Sequence, residues 1–183
     1  MHQQWGWKEP RTCLFLKVYK ELIPGCKYLI IVRDYKSVTA SLLRRDYAYL
    51  EKEIKLRELT LSAALSGYFK RRRDKAAYYT LHSEKYLKVC IAYYQEIIKA
   101  IADLSKDNFI VVSPDYLKTA DKQVFTHLTR TWNFNLSYVS FNAIFKEVLL
   151  HRKNNITKFI RDKTLLQQAE QLETIIKNYI MVN

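Results

Sequence analysis

The sequence predicts an α/β chain dominated by helices, with a small parallel sheet. Three observations carry that prediction. Lys27 to Val32 (KYLIIV) and Phe109 to Val112 (FIVV) are short apolar runs rich in β-branched residues, which read as buried strands. Strands of a parallel sheet, covered on both faces, have this near-continuous apolar character. Elsewhere apolar residues recur every three or four positions, the spacing of amphipathic helices. Only 3 Gly and 3 Pro among 183 residues also leave little provision for tight turns. That length allows one domain with a real core, and residues 1–183 read as a single domain.

In chain order, Pro10 stands where a helix can begin, and Arg11 to Leu22 carries Leu14, Phe15, Val18, Tyr19 and Leu22 on one face, ending before Pro24-Gly25. Trp5 and Trp7 precede it. Core packing is the default for tryptophan, with stacking on a base as the alternative. After the first strand, Arg33 stands at its carboxyl end and Asp34 can cap a helix from Ser37 to Arg45. Leu43, Tyr47, Leu50, Ile54, Leu61 and Leu65 continue that helix to about Ser66, with Asp46 a candidate break and Gly67 the expected end. Lys70 to Lys75 (KRRRDK) is the densest basic run. A solvated loop or helix end is the default for it, and a clamp on an acidic ligand the alternative.

Ala76 to Leu104 is the clearest helix, with Leu87, Cys90, Tyr94, Ile97, Ile101 and Leu104 as its stripe. Tyr78, Tyr79, Tyr86 and Tyr93 decorate it as a tyrosine-rich core edge. Asp107-Asn108 turns the chain into the second strand. Further helices are expected over Asp121 to Trp132, with Val124, Phe125 and Leu128 inward, and over Phe141 to His151 and Lys163 to Ile180. The stripe of the last is Leu165, Ala169, Leu172, Ile176 and Tyr179.

Charge bounds the function. Thirty-one Lys and Arg against 18 Asp and Glu give +13, which favours anionic ligands without choosing among nucleotide, acidic substrate, nucleic acid or anionic lipid. Cys13, Cys26 and Cys90 lack metal-ligand spacing and read as reduced thiols of a reducing, cytoplasmic setting. The first residues carry no apolar signal region, and no apolar run approaches membrane-spanning length. His2, His82, His127 and His151 are isolated from one another, no metal site is expected, and no serine-nucleophile elbow occurs.

The chemistry concentrates between Trp5 and Asp46. A strand, a tight turn and a helix start meet at Arg33-Asp34, and open α/β sheets bind anions outside the carboxyl ends of their strands. Ser37, Ser41, Arg44 and Arg45 fall on or near one helical face, so Arg33 and Ser41 can converge on one phosphate. Arg33-Asp34-Tyr35-Lys36-Ser37-Val38-Thr39-Ala40-Ser41 resembles the strand-turn-helix R-(D/N)-x-x-x-x-x-x-S of sulfotransferases that use 3′-phosphoadenosine-5′-phosphosulfate (PAPS). In that family the segment binds the nucleotide's 3′-phosphate. Upstream, WKEPR looks like the family's K-D-P segment, whose Lys contacts the transferred group. The resemblance thus implies a partial sulfotransferase fold of the P-loop NTPase type, PAPS as cofactor, Arg33 and Ser41 as cofactor-binding residues, and Lys8 as the catalytic residue.

The resemblance stops at several places. The family's phosphate loop, similar to P-R-S-G-T and upstream of the K-D-P segment, has no counterpart. Gly6, Gly25 and Gly67 offer no phosphate-loop context. The chain therefore reads as N-terminally truncated. Ser113-Pro114-Asp115-Tyr116-Leu117 looks like the family's V-x-Y-E-D-L segment, but the tyrosine that helps hold adenine falls at Pro114. The Gly-rich R-K-G motif is absent, and His151-Arg152-Lys153 reads as a basic helix end.

Sulfuryl transfer needs a base for the acceptor and cations for the leaving phosphate. Lys8 and Arg33 are cation candidates, with Arg11 a weaker one, while the base is unassigned and Glu9 points away from Lys8 in most backbones. The leading reading is sulfuryl transfer from PAPS to an acceptor hydroxyl or amine, impaired or absent in the chain as it stands. The alternatives are an inactive remnant with a phosphate-binding half-site, and a basic helical adaptor for an acidic partner. Nucleic acid is not the expected ligand. In the family the phosphate-loop strand lies beside the strand that ends in the arginine. Without it Lys27 to Val32 presents an unpaired edge, and the chain is expected to self-associate there.

Overall fold

The two apolar runs do form a sheet. The computed structural model describes residues 5–57, 64–146 and 155–181. In it β1 (Tyr28–Ile31) and β2 (Phe109–Val112) pair in parallel, Tyr28 opposite Phe109 and Ile31 opposite Val112. Val111 also bridges Ile180 in parallel, and the Met181 N–H donates to the Val111 carbonyl at 3.1 Å. A residue has one ladder partner per side, so β2 is flanked on both sides, whereas β1 has an open edge among the described residues. Burial follows. Ile110, Val111 and Val112 are all buried, but in β1 only Tyr28 and Ile30 are, and Leu29 and Ile31 stay 43% and 54% exposed. The expectation of a fully buried first strand holds for one of its faces.

The helices depart from the sequence reading in instructive ways. The stretch expected as one helix from Arg11 begins as a 3-10 helix, Pro10–Phe15, and continues as α1 (Leu16–Leu22). Only Leu16 is buried in α1; Val18 and Leu22 are exposed, as are Leu14 and Phe15 before it. Trp5 and Trp7 are exposed rather than in a core, and their rings stack on each other with centroids 5.3 Å apart. α2 (Tyr35–Arg57) runs uninterrupted through Asp46. That carboxylate accepts from Arg45 Nε at 2.9 Å and from the Tyr86 hydroxyl, so it does not compete for the backbone.

Gly67 does not end a helix. α3 (Ala64–Asp103) passes through it and takes in the basic run 70–75, which is helical rather than a loop. One glycine costs a helix about 1 kcal/mol relative to alanine, and the Lys and Arg residues that follow are good helix formers. A 3-10 turn, Lys106–Asn108, leads into β2. α4 (Pro114–Thr126) starts well before Asp121, because Ser113 Oγ accepts the Tyr116 N–H at 3.0 Å and Pro114 suits the first turn. The helix expected from Asp121 is its second half, set off by non-helical Ala120 and followed by a π-helical turn, His127–Thr131. α5 (Phe141–Ile144) is shorter than expected, and residues 147–154, with His151-Arg152-Lys153, lie outside the described residues. α6 (Lys163–Lys177) stops before Ile180, which is drawn into the bridge with Val111. Asp162 caps it by accepting the Thr164 and Leu165 N–H groups at 2.9 and 3.3 Å.

The chain divides into two compact units. The first comprises Met1–Arg33, Tyr93–His151 and Leu172–Asn183 and holds the sheet. On one part of its core, Ile110, Val112, Val124 and Trp132 pack with Leu117, Leu128, Phe134 and Met181. Trp132 Nε1 donates to the Asp107 carbonyl at 2.9 Å, which ties the end of the π-helical turn to the loop before β2. The second unit comprises Asp34–Ala92 and Arg152–Gln171. Tyr35, Thr39, Leu43 and Tyr47 of α2 are buried at four-residue steps, as are Tyr79, Ser83 and Leu87 of α3. Ile156, Ile160 and Ala169 are also buried there. Tyr47, Tyr78 and Tyr79 form an aromatic cluster with Phe159. The tyrosines of α3 thus serve as a core edge. No described helix is long and apolar enough to cross a membrane.

Candidate anion site at the carboxyl end of the strands

Because β1 and β2 are parallel and in register, their carboxyl ends finish together. The Val32 N–H donates to the Val112 carbonyl at 2.9 Å, one residue beyond the ladder. Arg33 follows, half-buried; by the same register Ser113 corresponds to Val32 and Pro114 to Arg33. The Arg33 carbonyl accepts the Tyr94 phenol. That bond fixes the backbone from which the guanidinium extends. Among the described residues the guanidinium itself has no ion-pair or hydrogen-bond partner. A half-buried arginine without an anion retains five donors in a fixed fork that suits phosphate or carboxylate.

Asp34, next in the chain, caps α2 as the sequence predicts. Its carboxylate accepts the Ser37 N–H at 2.8 Å, and its carbonyl accepts the Val38 N–H at 3.1 Å. The start of α4 is closed in the same manner by Ser113. The first-turn N–H groups of Ser37 and Tyr116 are therefore already bonded to side chains.

The three residues singled out from the sequence are placed as follows. Arg33 is the last residue of the strand-bearing unit. Ser41 is exposed on α2, in the other unit. Lys8 is exposed in the extended segment ahead of Pro10–Phe15. Of the basic residues that follow Ser41, Arg45 pairs with Asp46, and Arg44 lies near the buried Tyr79 phenol, which has no hydrogen-bond partner among the described residues. Burial raises the pKa of that phenol and Arg44 acts in the opposite sense. The Tyr86 phenol is pushed up more strongly, first by burial and then by its bond to the Asp46 carboxylate, which is itself held low mainly by that bond. Gly25, the described glycine with positive φ (80°), precedes β1 and so lies at the amino end of the strand, away from Arg33.

Tyr94 and Ser113 are the residues of this region that sequence reasoning missed. Tyr94 belongs to the apolar stripe of its helix, and nothing local separates a tyrosine that packs from one that also holds a particular carbonyl. Ser113 before Pro114 carried a readable signal, a serine cap followed by proline at the first helical position. Among the described residues no His, Cys, Asp and Glu group is arranged to hold a metal ion. No protein-family model matches the chain, and neither does any curated protein or solved structure.

Proposed function

We propose that this chain is of the PAPS-dependent sulfotransferase type and retains the half of the donor site that holds the 3′-phosphate, with Arg33 as its principal cation and Ser41 as a hydroxyl donor. The observation that supports this reading most is the unpartnered guanidinium of Arg33 just past the end of a parallel strand. Ser41, exposed eight residues further on, matches the spacing of the family's motif. When bound, PAPS would supply the sulfuryl group, and Lys8 would stabilise charge on it.

Transfer itself is expected to be impaired. At each helix start one first-turn amide, that of Ser37 or of Tyr116, is already bonded to a capping side chain. Binding energy at the reacting group is what lowers the barrier, so a chain that grips only the distant 3′-phosphate gains affinity without rate. The reading is therefore of a nucleotide-binding half-site on a basic scaffold.

Calorimetry tests it. 3′-Phosphoadenosine-5′-phosphate should bind weakly, and Arg33→Ala should lose roughly 1.5–3 kcal/mol, the range for a charge-assisted hydrogen bond. Adenosine-5′-phosphate, which lacks the 3′-phosphate, should bind far less well. Equal binding of the two nucleotides overturns the assignment. Binding that tracks only polyanion length and salt, unaffected by Arg33→Ala, would instead support an adaptor for acidic partners. Robust transfer of labelled sulfate to a phenol or glycan by the 183-residue chain would overturn the statement on catalysis.

A further inference from the structure

At the opposite, amino-terminal end of the strands the first unit contains a cavity of about 280 Å³, between the end of α1 and the turn that leads from α3 to β2. Ile23, Leu104 and Tyr28 give it an apolar wall, and Lys20, Ser105 and Asn108 contribute polar groups. The hydrogen-bonding capacity of these groups is unevenly used. Lys20 Nζ donates to the Asp103 carbonyl at 2.6 Å, which leaves two of its three N–H groups. Asn108 Oδ1 accepts from Lys27 Nζ at 2.7 Å. Because an ammonium only donates, that bond assigns the amide orientation and leaves both Nδ2 protons unused. The Ser105 hydroxyl has no partner among the described residues. Tyr28 is 7% exposed and its hydroxyl is buried without a partner. Burial raises the pKa of that phenol, and the Cys26 thiol adds to the rise, so the hydroxyl stays a neutral donor at physiological pH.

From this surplus of donors around an apolar wall, we propose that the cavity binds a small carboxylic acid with an apolar body, the carboxylate facing Lys20, Ser105 and Asn108. The volume lies near the lower end of the usual range for ligand pockets, about 300–1,000 Å³, and so limits the body to one ring or a short branched chain. The positive net charge favours an anion. This site is separate from the one around Arg33 and does not rest on the sulfotransferase reading.

The test titrates the full chain by calorimetry with benzoate, benzylamine, benzyl alcohol and inorganic phosphate. Benzoate should bind saturably and the other three much more weakly. Lys20→Met should weaken benzoate about tenfold, the loss of one charge-assisted hydrogen bond. Tyr28→Phe should leave the melting temperature of the free chain unchanged or raise it, since it removes an enclosed, unpartnered hydroxyl, and should bind benzoate as the parent chain does. Ser105→Ala, at an exposed position, gives a third variant in which folding is undisturbed, and should also weaken benzoate. The proposal is overturned if benzoate does not saturate, if benzylamine or phosphate binds as well, or if Lys20→Met and Ser105→Ala bind benzoate unchanged.

Discussion

β1 and β2 are similar as sequence, YLII against FIVV, yet they occupy different physical situations. β2 has a neighbour on each side and three successive buried residues, with Val111 and Val112 fully inaccessible. β1 has one described neighbour and buries alternate residues. Apolar character alone therefore does not make a strand central. What decides is whether other segments reach both its edges and both its faces. Here Ile180, far along the chain, reaches β2 and leaves β1 at the border. The candidate anion site hangs from the less supported strand, while β2 runs directly into the capped start of α4.

The sharpest way to break this comparison is to truncate corresponding side chains. Val111→Ala should cost about 2 kcal/mol or more, because it opens a cavity among residues that cannot fully collapse. Ile31→Ala, at a half-exposed position, should cost well under half of that. Urea denaturation of the two variants reads the difference directly. Equal costs would show that β1 is as enclosed as β2 and that the open edge is covered in solution.

A second prediction addresses that edge. Unpaired strand edges with apolar side chains recruit other chains, and lysine on them is a natural deterrent. We predict that the chain self-associates through β1 and that Leu29→Lys with Ile31→Lys shifts sedimentation towards the monomer while changing stability by no more than about 0.5 kcal/mol, as usual for surface positions. A wild-type chain that sediments as a clean monomer at high concentration would remove the basis of the prediction.

The smallest expected effect is one of pH, on the side of the molecule that follows β2. The Asp121 carboxylate accepts the Phe141 N–H at 2.8 Å, the Tyr138 hydroxyl at 3.1 Å and the Ser140 hydroxyl at 3.2 Å. These bonds, that to Phe141 foremost, hold its pKa below the ordinary 3.8. A carboxylate lowered in the folded state contributes stability that is complete above its unfolded pKa and is lost as pH falls through the folded one. The contribution should thus be present from about pH 5 upward and disappear below about pH 4. Asp121→Asn should flatten this acid limb without altering Ile31→Ala costs on β1. Urea midpoints at pH 7 and pH 3 check it, and an unchanged acid limb in the variant would show that these bonds carry no net stability.

Much of the fold was legible because it is local. A β-branched apolar run after Pro-Gly specifies β1, and Asp34 three residues before a backbone N–H specifies the start of α2. Both depend on a few consecutive residues, and both stand where the sequence places them. Arg33 at the end of β1 follows from the same local pattern. Misplaced boundaries have local causes too: Gly67 reads locally as a helix end, yet its cost is small beside that of interrupting a 40-residue helix.

What only the tertiary structure decided is which partner each local element meets. Sequence spacing cannot tell that Ile180 bridges Val111, that the Tyr94 phenol fastens the Arg33 carbonyl, or that Lys20 reaches the Asp103 carbonyl beside an unpartnered Tyr28 hydroxyl. Each of these joins residues from about sixty to more than eighty positions apart or sets the exposure of a group by what surrounds it. Local propensity determines where helices and strands form. The satisfaction of individual donors and the coverage of a strand's edge depend on packing between distant segments, and those were settled only when the chain folded.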